Sequence, residues 1–105
     1  MLEIHRRCQR EIDDLPMMAR EDLADAVARL EQGHNLSMPL SRPMPNIGVG
    51  VHELRLHARS GAFRVIYAVV TKSSVVLLHA FKKTTEKTPQ RNIEIARARL
   101  KEVKR

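Results

Sequence analysis

The chain has 105 residues, of which 43% are hydrophobic, so we expect one domain over residues 1–105 rather than two independent cores or a disordered chain. The single cysteine, Cys8, excludes an internal disulfide framework, and no stretch approaches the ~18 apolar residues of a membrane span, so a reducing, cytoplasmic location is expected. The net charge of +7 is uneven, at −2 over residues 1–50 and +9 over residues 51–105, and this polarity favours a polyanionic partner.

Two helices are predicted in the first half of the chain. Apolar residues recur every three or four positions over residues 3–14, where Cys8 is expected to pack against the core. Pro16 suits the first turn of a second helix, and Gly33 fits the cap at its end. Residues 34–50 contain three prolines and two glycines, so they are predicted to form an extended loop.

The apolar period changes to two in the second half. Residues 49–57 alternate, residues 63–70 form a nearly continuous β-branched run typical of a central strand, and residues 75–81 form a third strand. Thr88 as N-cap and Pro89 at the first position open a last helix that is rich in Arg and Lys. The fold class is therefore α+β, with two N-terminal helices packed on a three-stranded antiparallel meander and a C-terminal helix.

Several basic residues are predicted to meet on this sheet. If the first hairpin turns around residues 59–60, Arg55 lies opposite Arg64, and a similar turn before the third strand brings Lys82 opposite or diagonal to Arg64. A one-residue slip in register would bring Lys83 into the row in place of Lys82. Such a row repels itself, and a phosphate bound between the strands would relieve the repulsion because a guanidinium fork fits it.

Other kinds of site have no motif in the sequence. There is no Gly-rich phosphate loop, and no spacing of His, Cys, Asp or Glu is typical of a metal site, so no metal or cofactor is predicted. His52, His57 and His79 could contact one another across strands, without a ligand pattern. Glu11 and the two aspartates that follow it are interpreted as a solvated helix face and helix end.

The pattern as a whole resembles a known family. The segments that carry the resemblance are Asp14-Leu15-Pro16, His52-Glu53-Leu54-Arg55, Phe63-Arg64-Val65-Ile66-Tyr67, Leu77-Leu78-His79-Ala80-Phe81-Lys82-Lys83 and Glu86-Lys87-Thr88-Pro89. Over roughly residues 10–104 they resemble the phage-derived, HigB-type branch of the RelE/ParE toxin superfamily. The resemblance implies two helices against a small antiparallel sheet, closed by a C-terminal segment.

The resemblance also implies a function. Relatives are toxins that cleave mRNA on the ribosome and are neutralised by a cognate antitoxin, often a helix-turn-helix protein, and no small-molecule cofactor or membrane is involved. In relatives, basic residues carry the chemistry, and position by position they fall on Arg55, Arg64 and Lys82 or Lys83. The basic residues predicted to contact RNA phosphates around them are Arg59, Lys87, Arg91 and Arg97.

The sequence departs from the family at two places. Relatives usually begin with a β-strand, whereas the helical stripe here starts almost at Met1, so that strand is expected to be short or missing, or the sheet edge to be covered by another chain. Lys83 also stands where some relatives carry Arg or His, which leaves open whether it transfers a proton.

In the expected reaction a 2′-OH attacks the neighbouring phosphate. Arg55 and Arg64 suit stabilisation of the crowded phosphorane, and a lysine, His57 or His79 could transfer protons. Two other functions remain open on the same fold: a ParE-like inhibitor of DNA gyrase, and a nucleic-acid-binding relative without catalytic activity.

Overall fold

The computed structural model describes residues 1–103. The elements in chain order are β1 (Leu2–Ile4), α1 (Arg6–Asp13), α2 (Met17–Glu31), β2 (Ser41–Pro43), β3 (Val51–Ala58), β4 (Gly61–Thr71), β5 (Ser74–Lys82) and α3 (Gln90–Val103). The five strands form one mixed sheet in the order β1-β5-β4-β3-β2, in which only the β1–β5 pair of the described strands is parallel. Helices α1 and α2 cover one face of the sheet and α3 covers the other.

The position of β4 in the centre of the sheet explains why its sequence is apolar almost throughout. Val65 and Tyr67 point into the core beneath α1 and α2, whereas Ile66 and Ala68 point into the core beneath α3. Because both faces of the strand are covered, alternate residues enter different cores and both sets must be apolar. The strand therefore divides the molecule into two hydrophobic layers, one on each side of the sheet.

The two predicted N-terminal helices are present, and so is the cap of the second. Gly33 follows the end of α2 with a φ of 87°, a left-handed conformation that glycine adopts without steric cost. Cys8 is fully buried in the core beneath α1, which confirms its packing role. Burial raises the pKa of its thiol to about 12, so this side chain is held in the neutral form.

The chain begins with a strand, where a helix over residues 3–14 was expected. β1 is three residues long and pairs in parallel with β5, so of the alternatives left open, a short strand or a missing one, the structure has the short strand. His5 then caps α1, since its Nδ1 accepts a hydrogen bond from the Arg7 N–H at 3.2 Å, and it contacts Glu102 on α3 through Nε2. The helix therefore starts at Arg6.

The α+β class is confirmed, but the sheet is larger than the predicted three-stranded meander. β3, β4 and β5 form that meander, and β1 and β2 extend it on either side. β2 lies inside the proline-rich segment predicted as a loop, and it is held by pairing of residues 41–43 with β3. The start of the last helix also differs, because the Thr88 side chain donates to Glu53 and the helix begins at Gln90.

Two irregularities set the register between β4 and β5. Val70 has no partner residue on β5, and Leu78 has none on β4, so each strand carries one extra residue. The two insertions compensate each other, and Arg64 lies opposite Phe81 as it would in a regular hairpin. In the described part of the chain, no helix combines the length and apolar character that a bilayer crossing needs.

Candidate functional site

Two arginines face each other on the sheet beneath the start of α3. Arg55 on β3 and Arg64 on β4 are direct register partners, as the hairpin turn at residues 59–60 predicted. Arg64 is only 6% exposed, and Arg55 is half-buried. Among residues 1–103, nothing accepts a hydrogen bond from the buried Nε of Arg55. The structure thus holds two like charges side by side, and the Nε–H of Arg55 is still available to donate a hydrogen bond.

One carboxylate partly offsets this charge. Glu53 is 2% exposed, and its Oε1 lies 3.5 Å from Arg64 Nε. Its other oxygen accepts a hydrogen bond of 2.5 Å from the Thr88 hydroxyl, which lies just before α3. Glu53 therefore fixes Arg64 in place and ties the segment before α3 to the sheet. Sequence reasoning placed Thr88 at a helix cap and missed this contact, which joins groups 35 positions apart.

The environment of Arg64 disfavours its own charge. Burial lowers the pKa of the Arg64 guanidinium from its ordinary value, the carboxylates of Glu53 and Glu86 oppose that shift, and the charge of Arg55 adds to it. A guanidinium stays protonated under these conditions, so the consequence is a concentrated positive potential rather than a neutral side chain. An anion that enters this position would stabilise both arginines.

The two lysines at the end of β5 point to opposite faces of the sheet. Lys82 is the register partner of Phe63, whose side chain lies in the core beneath α1 and α2, and its aliphatic part packs over Gly61. The prediction that Lys82 joins the row of Arg55 and Arg64 is therefore wrong, because residues one position apart on a strand alternate between faces. Lys83 continues the ladder through its N–H to Ala62, and the alternation puts it on the face of Arg64.

The four flanking basic residues differ in what they contact. Arg59 at the β3–β4 turn, Lys87 before α3 and Arg91 in its first turn are exposed, as RNA contacts would need to be. Arg97 is also exposed, but its guanidinium donates to the carbonyl of Asn46, from Nε at 2.9 Å and again from Nη2. Arg97 thus holds the loop after β2 against α3.

Sequence reasoning missed Arg42. It lies on β2 as the register partner of Glu53, and its side chain is exposed. The residue stands in a segment with three prolines, where no alternation is visible, so no pattern could assign it to a face. The only feature of the sequence that pointed to Arg42 was its positive charge within that segment.

The histidines fall into different environments. His57 is exposed on β3 and lies two positions from Arg55, which puts it on the same face of the sheet. His79 is buried, and its ring stacks on Phe81 at 5.1 Å between centroids. His52 stacks on Tyr67, which points to the opposite face of the sheet. Of the three, His57 alone is both accessible and beside the arginines.

A second polar cluster lies away from the arginine pair. Arg99 donates to both oxygens of Glu11, at 2.8 and 2.9 Å, and to the carbonyl of Leu78 at 2.9 Å. Both ring nitrogens of His79 face oxygens, Nδ1 at 3.0 Å from Glu11 and Nε2 at 2.8 Å from Asn92. The interpretation of Glu11 as a solvated residue is therefore wrong, because it joins α1, β5 and α3.

These contacts fix the ionisation of Glu11. Burial alone would raise the pKa of its carboxyl, but hydrogen bonds from His79, Arg99 and the backbone N–H of β5 outweigh burial and lower the pKa to about 2. The ionised Glu11 carboxylate thus links α1, β5 and α3. The cluster occupies both nitrogens of His79, which removes that ring from the groups able to exchange protons with a substrate.

The candidate site is built mainly from basic groups. Within residues 1–103, no three side chains of His, Cys, Asp or Glu come together as a metal ion would require. What the site offers is fixed positive charge from Arg55, Arg64 and Lys83, together with an exposed imidazole at His57. That combination suits binding of a phosphodiester and stabilisation of negative charge that develops on it.

Comparison with models of known protein families gives a match over most of the chain. The family described as "Phage derived protein Gp49-like (DUF891)" matches residues 10–101, which leaves out β1, the first half of α1 and the last two residues of α3. No curated protein sequence is significantly similar to the chain.

Proposed function

The chain belongs to the Gp49-like family of phage-derived proteins, a RelE/toxin-like family, and from that premise we propose that it is the toxin of a toxin–antitoxin pair that cleaves mRNA on the ribosome. The family is associated with toxins of such pairs and so also points to an antitoxin partner. We further propose that the cognate antitoxin is a helix-turn-helix protein. The proposed fine specificity is that of the HigB-type branch.

The observation that carries the proposal is the pairing of Arg55 with Arg64. Like charges directly opposite each other on neighbouring strands destabilise a sheet. The ion pair at this position joins Glu53 to Arg64, while the buried Nε of Arg55 has no acceptor among residues 1–103. A protein that used this face only for packing would gain nothing from the arrangement. An RNA phosphate between the two groups offsets the repulsion through charge-assisted hydrogen bonds.

The proposed reaction is an internal transesterification of RNA. The 2′-oxygen forms a bond to the adjacent phosphorus, and the bond from phosphorus to the 5′-oxygen breaks. One proton leaves the 2′-OH and one reaches the departing 5′-oxygen, so the products are a 2′,3′-cyclic phosphate and a 5′-hydroxyl. The proton balance closes without a further reactant.

Each residue at the site supports a separate part of this reaction. Arg55 and Arg64 stabilise the charge that gathers on the non-bridging oxygens in the transition state, which is usually the largest single catalytic contribution. Lys83 adds a third cation on the same face, and His57 supplies an exposed imidazole that can transfer protons. Arg59, Lys87 and Arg91 extend the positive surface along the RNA.

The test is a cleavage assay on ribosomes programmed with a defined mRNA. The wild-type chain is expected to cut the message, and Arg55→Ala and Arg64→Ala are expected to lower the rate by ~10²–10³-fold. Arg29→Ala, which removes an exposed arginine from α2 on the other side of the sheet, is the matched control and should cut at the wild-type rate. Thermal unfolding of every variant separates loss of activity from loss of fold.

Two outcomes would contradict the proposal. If the wild-type protein does not cut mRNA but inhibits DNA gyrase, the chain is a gyrase poison on the same fold. If it binds nucleic acid without cutting it or inhibiting gyrase, it is a binding module. Growth arrest on expression, relieved by the product of a neighbouring gene, tests the antitoxin part separately.

A further inference from the structure

We infer that a groove beside the arginine pair holds the nucleotide next to the scissile phosphate, an inference that rests on the proposed function. The groove lies between β2 with the loop after it and the segment that leads into α3. Its volume is about 370 Å³, which falls within the ~300–1,000 Å³ of small-molecule sites. One nucleotide is a ligand of suitable size.

The lining of the groove combines apolar surface with positive charge. Pro43 and Pro45 form an exposed apolar wall, and Met44 and Ile93 lie buried beneath it. A nucleobase has flat apolar faces, and its transfer from water onto such a wall is favourable. The groove thus offers a base-binding surface without aromatic side chains.

Two cations lie at the same groove. Arg42 and Lys87 both line it, both are exposed, and none of the residues that line it is a carboxylate. Cations without acidic partners favour an anionic ligand, and the phosphate attached to a bound nucleotide supplies that charge. The combination of an apolar wall with two cations fits a nucleotide better than it fits an apolar peptide or an inorganic anion.

The groove adjoins the proposed reaction centre. Thr88 lines the groove and donates to Glu53 at 2.5 Å, and Glu53 in turn contacts Arg64 at 3.5 Å. Arg42 is the register partner of Glu53 on the neighbouring strand. A chain of direct contacts therefore runs from the groove to the arginine pair, and an RNA strand can occupy both at consecutive nucleotides.

The wall of the groove is held in place from behind. Arg97 donates through two nitrogens to the carbonyl of Asn46, which also lines the groove. Arg97 is consequently a positioning residue for the groove rather than a phosphate contact. Because the wall is braced by α3, little ordering is needed when a nucleotide enters.

The kinetic test uses single-turnover cleavage on programmed ribosomes over a range of toxin concentrations. Arg42→Ala combined with Lys87→Ala is expected to raise the toxin concentration for half-maximal rate by about tenfold or more, with the saturating rate nearly unchanged. The rate ratio between messages that differ at the flanking nucleotide should also move toward one. The matched control is Arg20→Ala combined with Arg29→Ala, both on exposed positions of α2, and it should change neither quantity.

A second measurement does not depend on cleavage. A short single-stranded RNA, added to isotopically labelled wild-type protein, is expected to shift the backbone amide resonances of Asn46 and Thr88, and Arg97→Ala is expected to weaken that binding. Shifts confined to other surfaces would overturn the inference. So would shifts at the groove from a Glu-rich peptide but not from RNA, since they would assign it to a protein partner.

The two proposals fail in different ways. If the wild-type protein cuts mRNA while the Arg42 and Lys87 double variant keeps both its half-maximal concentration and its nucleotide preference, the groove assignment is wrong and the proposed function stands. If RNA shifts the groove resonances but no message is cut, the groove binds RNA and the proposed cleavage is wrong.

Discussion

Arg55 and Arg64 occupy directly opposite positions on β3 and β4, with a single carboxylate, Glu53, 3.5 Å from one of them. Such a pair lowers the stability of the sheet that carries it. The unfavourable charge distribution is nevertheless built into two long, adjacent strands of the sheet. Sites of this kind commonly lower stability in return for activity.

Removal of Arg55 should therefore stabilise the protein. Arg55→Met ends the repulsion of Arg64 and removes a buried Nε that lacks a partner among residues 1–103, so we expect the free energy of unfolding to rise by ~1 kcal/mol. Cleavage should be lost in the same variant. Urea denaturation measures the change, and Arg59→Met at the exposed turn should leave stability within ~0.5 kcal/mol. A decrease in stability would show that Arg55 contributes to packing.

The opposite result is expected for Arg64. Arg64→Met removes the ion-pair partner of the buried Glu53 carboxylate and leaves it with the hydrogen bond from Thr88, at a cost of ~3 kcal/mol. Addition of Glu53→Gln to that variant should recover most of the loss, because the buried charge is then gone. A double-mutant cycle by urea denaturation gives the coupling energy. Additive effects would mean that the two side chains are independent.

The two lysines at the end of β5 provide an internal comparison. Lys83 lies on the face of Arg64 and Lys82 on the other face, although they are neighbours with the same charge. Lys83→Ala should lower the cleavage rate by ~10-fold or more, whereas Lys82→Ala should change it less than ~2-fold. Both are measured in the ribosome assay. Equal losses would mean that net charge rather than position matters.

Acid stability should depend on Glu11. Its pKa falls from the ordinary 4.5 to about 2 on folding, so the stability it contributes is complete above pH 4.5 and is lost as the pH falls through about 2. After a discount for its partial exposure the contribution is ~2 kcal/mol. Glu11→Gln should therefore unfold more easily at pH 7 and show a flatter acid limb in thermal denaturation between pH 4.5 and 2.

Glu94→Gln is the control for that experiment, since Glu94 is an exposed carboxylate on α3. It should leave both the stability at neutral pH and the acid limb as they are in the wild-type protein. An unchanged acid limb in Glu11→Gln would contradict the assigned role of the Glu11 contacts.

The parts of the fold that the sequence predicted are those with local patterns. Helical and alternating periods extend over enough residues to identify α1, α2, the β3–β4–β5 meander and α3, and a tight turn fixes the pairing of Arg55 with Arg64. β1 and β2 have three residues each, too few for a period to show. They exist as strands because distant partners hold them, and that information is not local.

The residues of the candidate site divide in the same way, into those that a local pattern predicts and those that distant contacts determine. The face of the sheet on which Lys82 lies can be predicted only by counting alternate residues to the end of β5. An error of one position in that count assigns the wrong face. Arg42 could not be assigned because its strand was not visible, and Glu11 looked solvated because its partners lie 68 to 88 positions away. Charge composition indicates the region of the proposed site, but only tertiary contacts show which cations lie on the face of the arginine pair and which hold other segments in place.

The contact of Glu11 with Arg99 has a consequence for the timing of synthesis. The two residues are 88 positions apart, and a nascent chain that has not yet reached Arg99 leaves Glu11 and His79 without the cation that completes their cluster. The layer beneath α3 is equally incomplete at that stage. A ribosome that makes this protein thus meets its folded form only after nearly the whole described chain has been translated. The order of synthesis itself therefore delays the onset of the proposed activity.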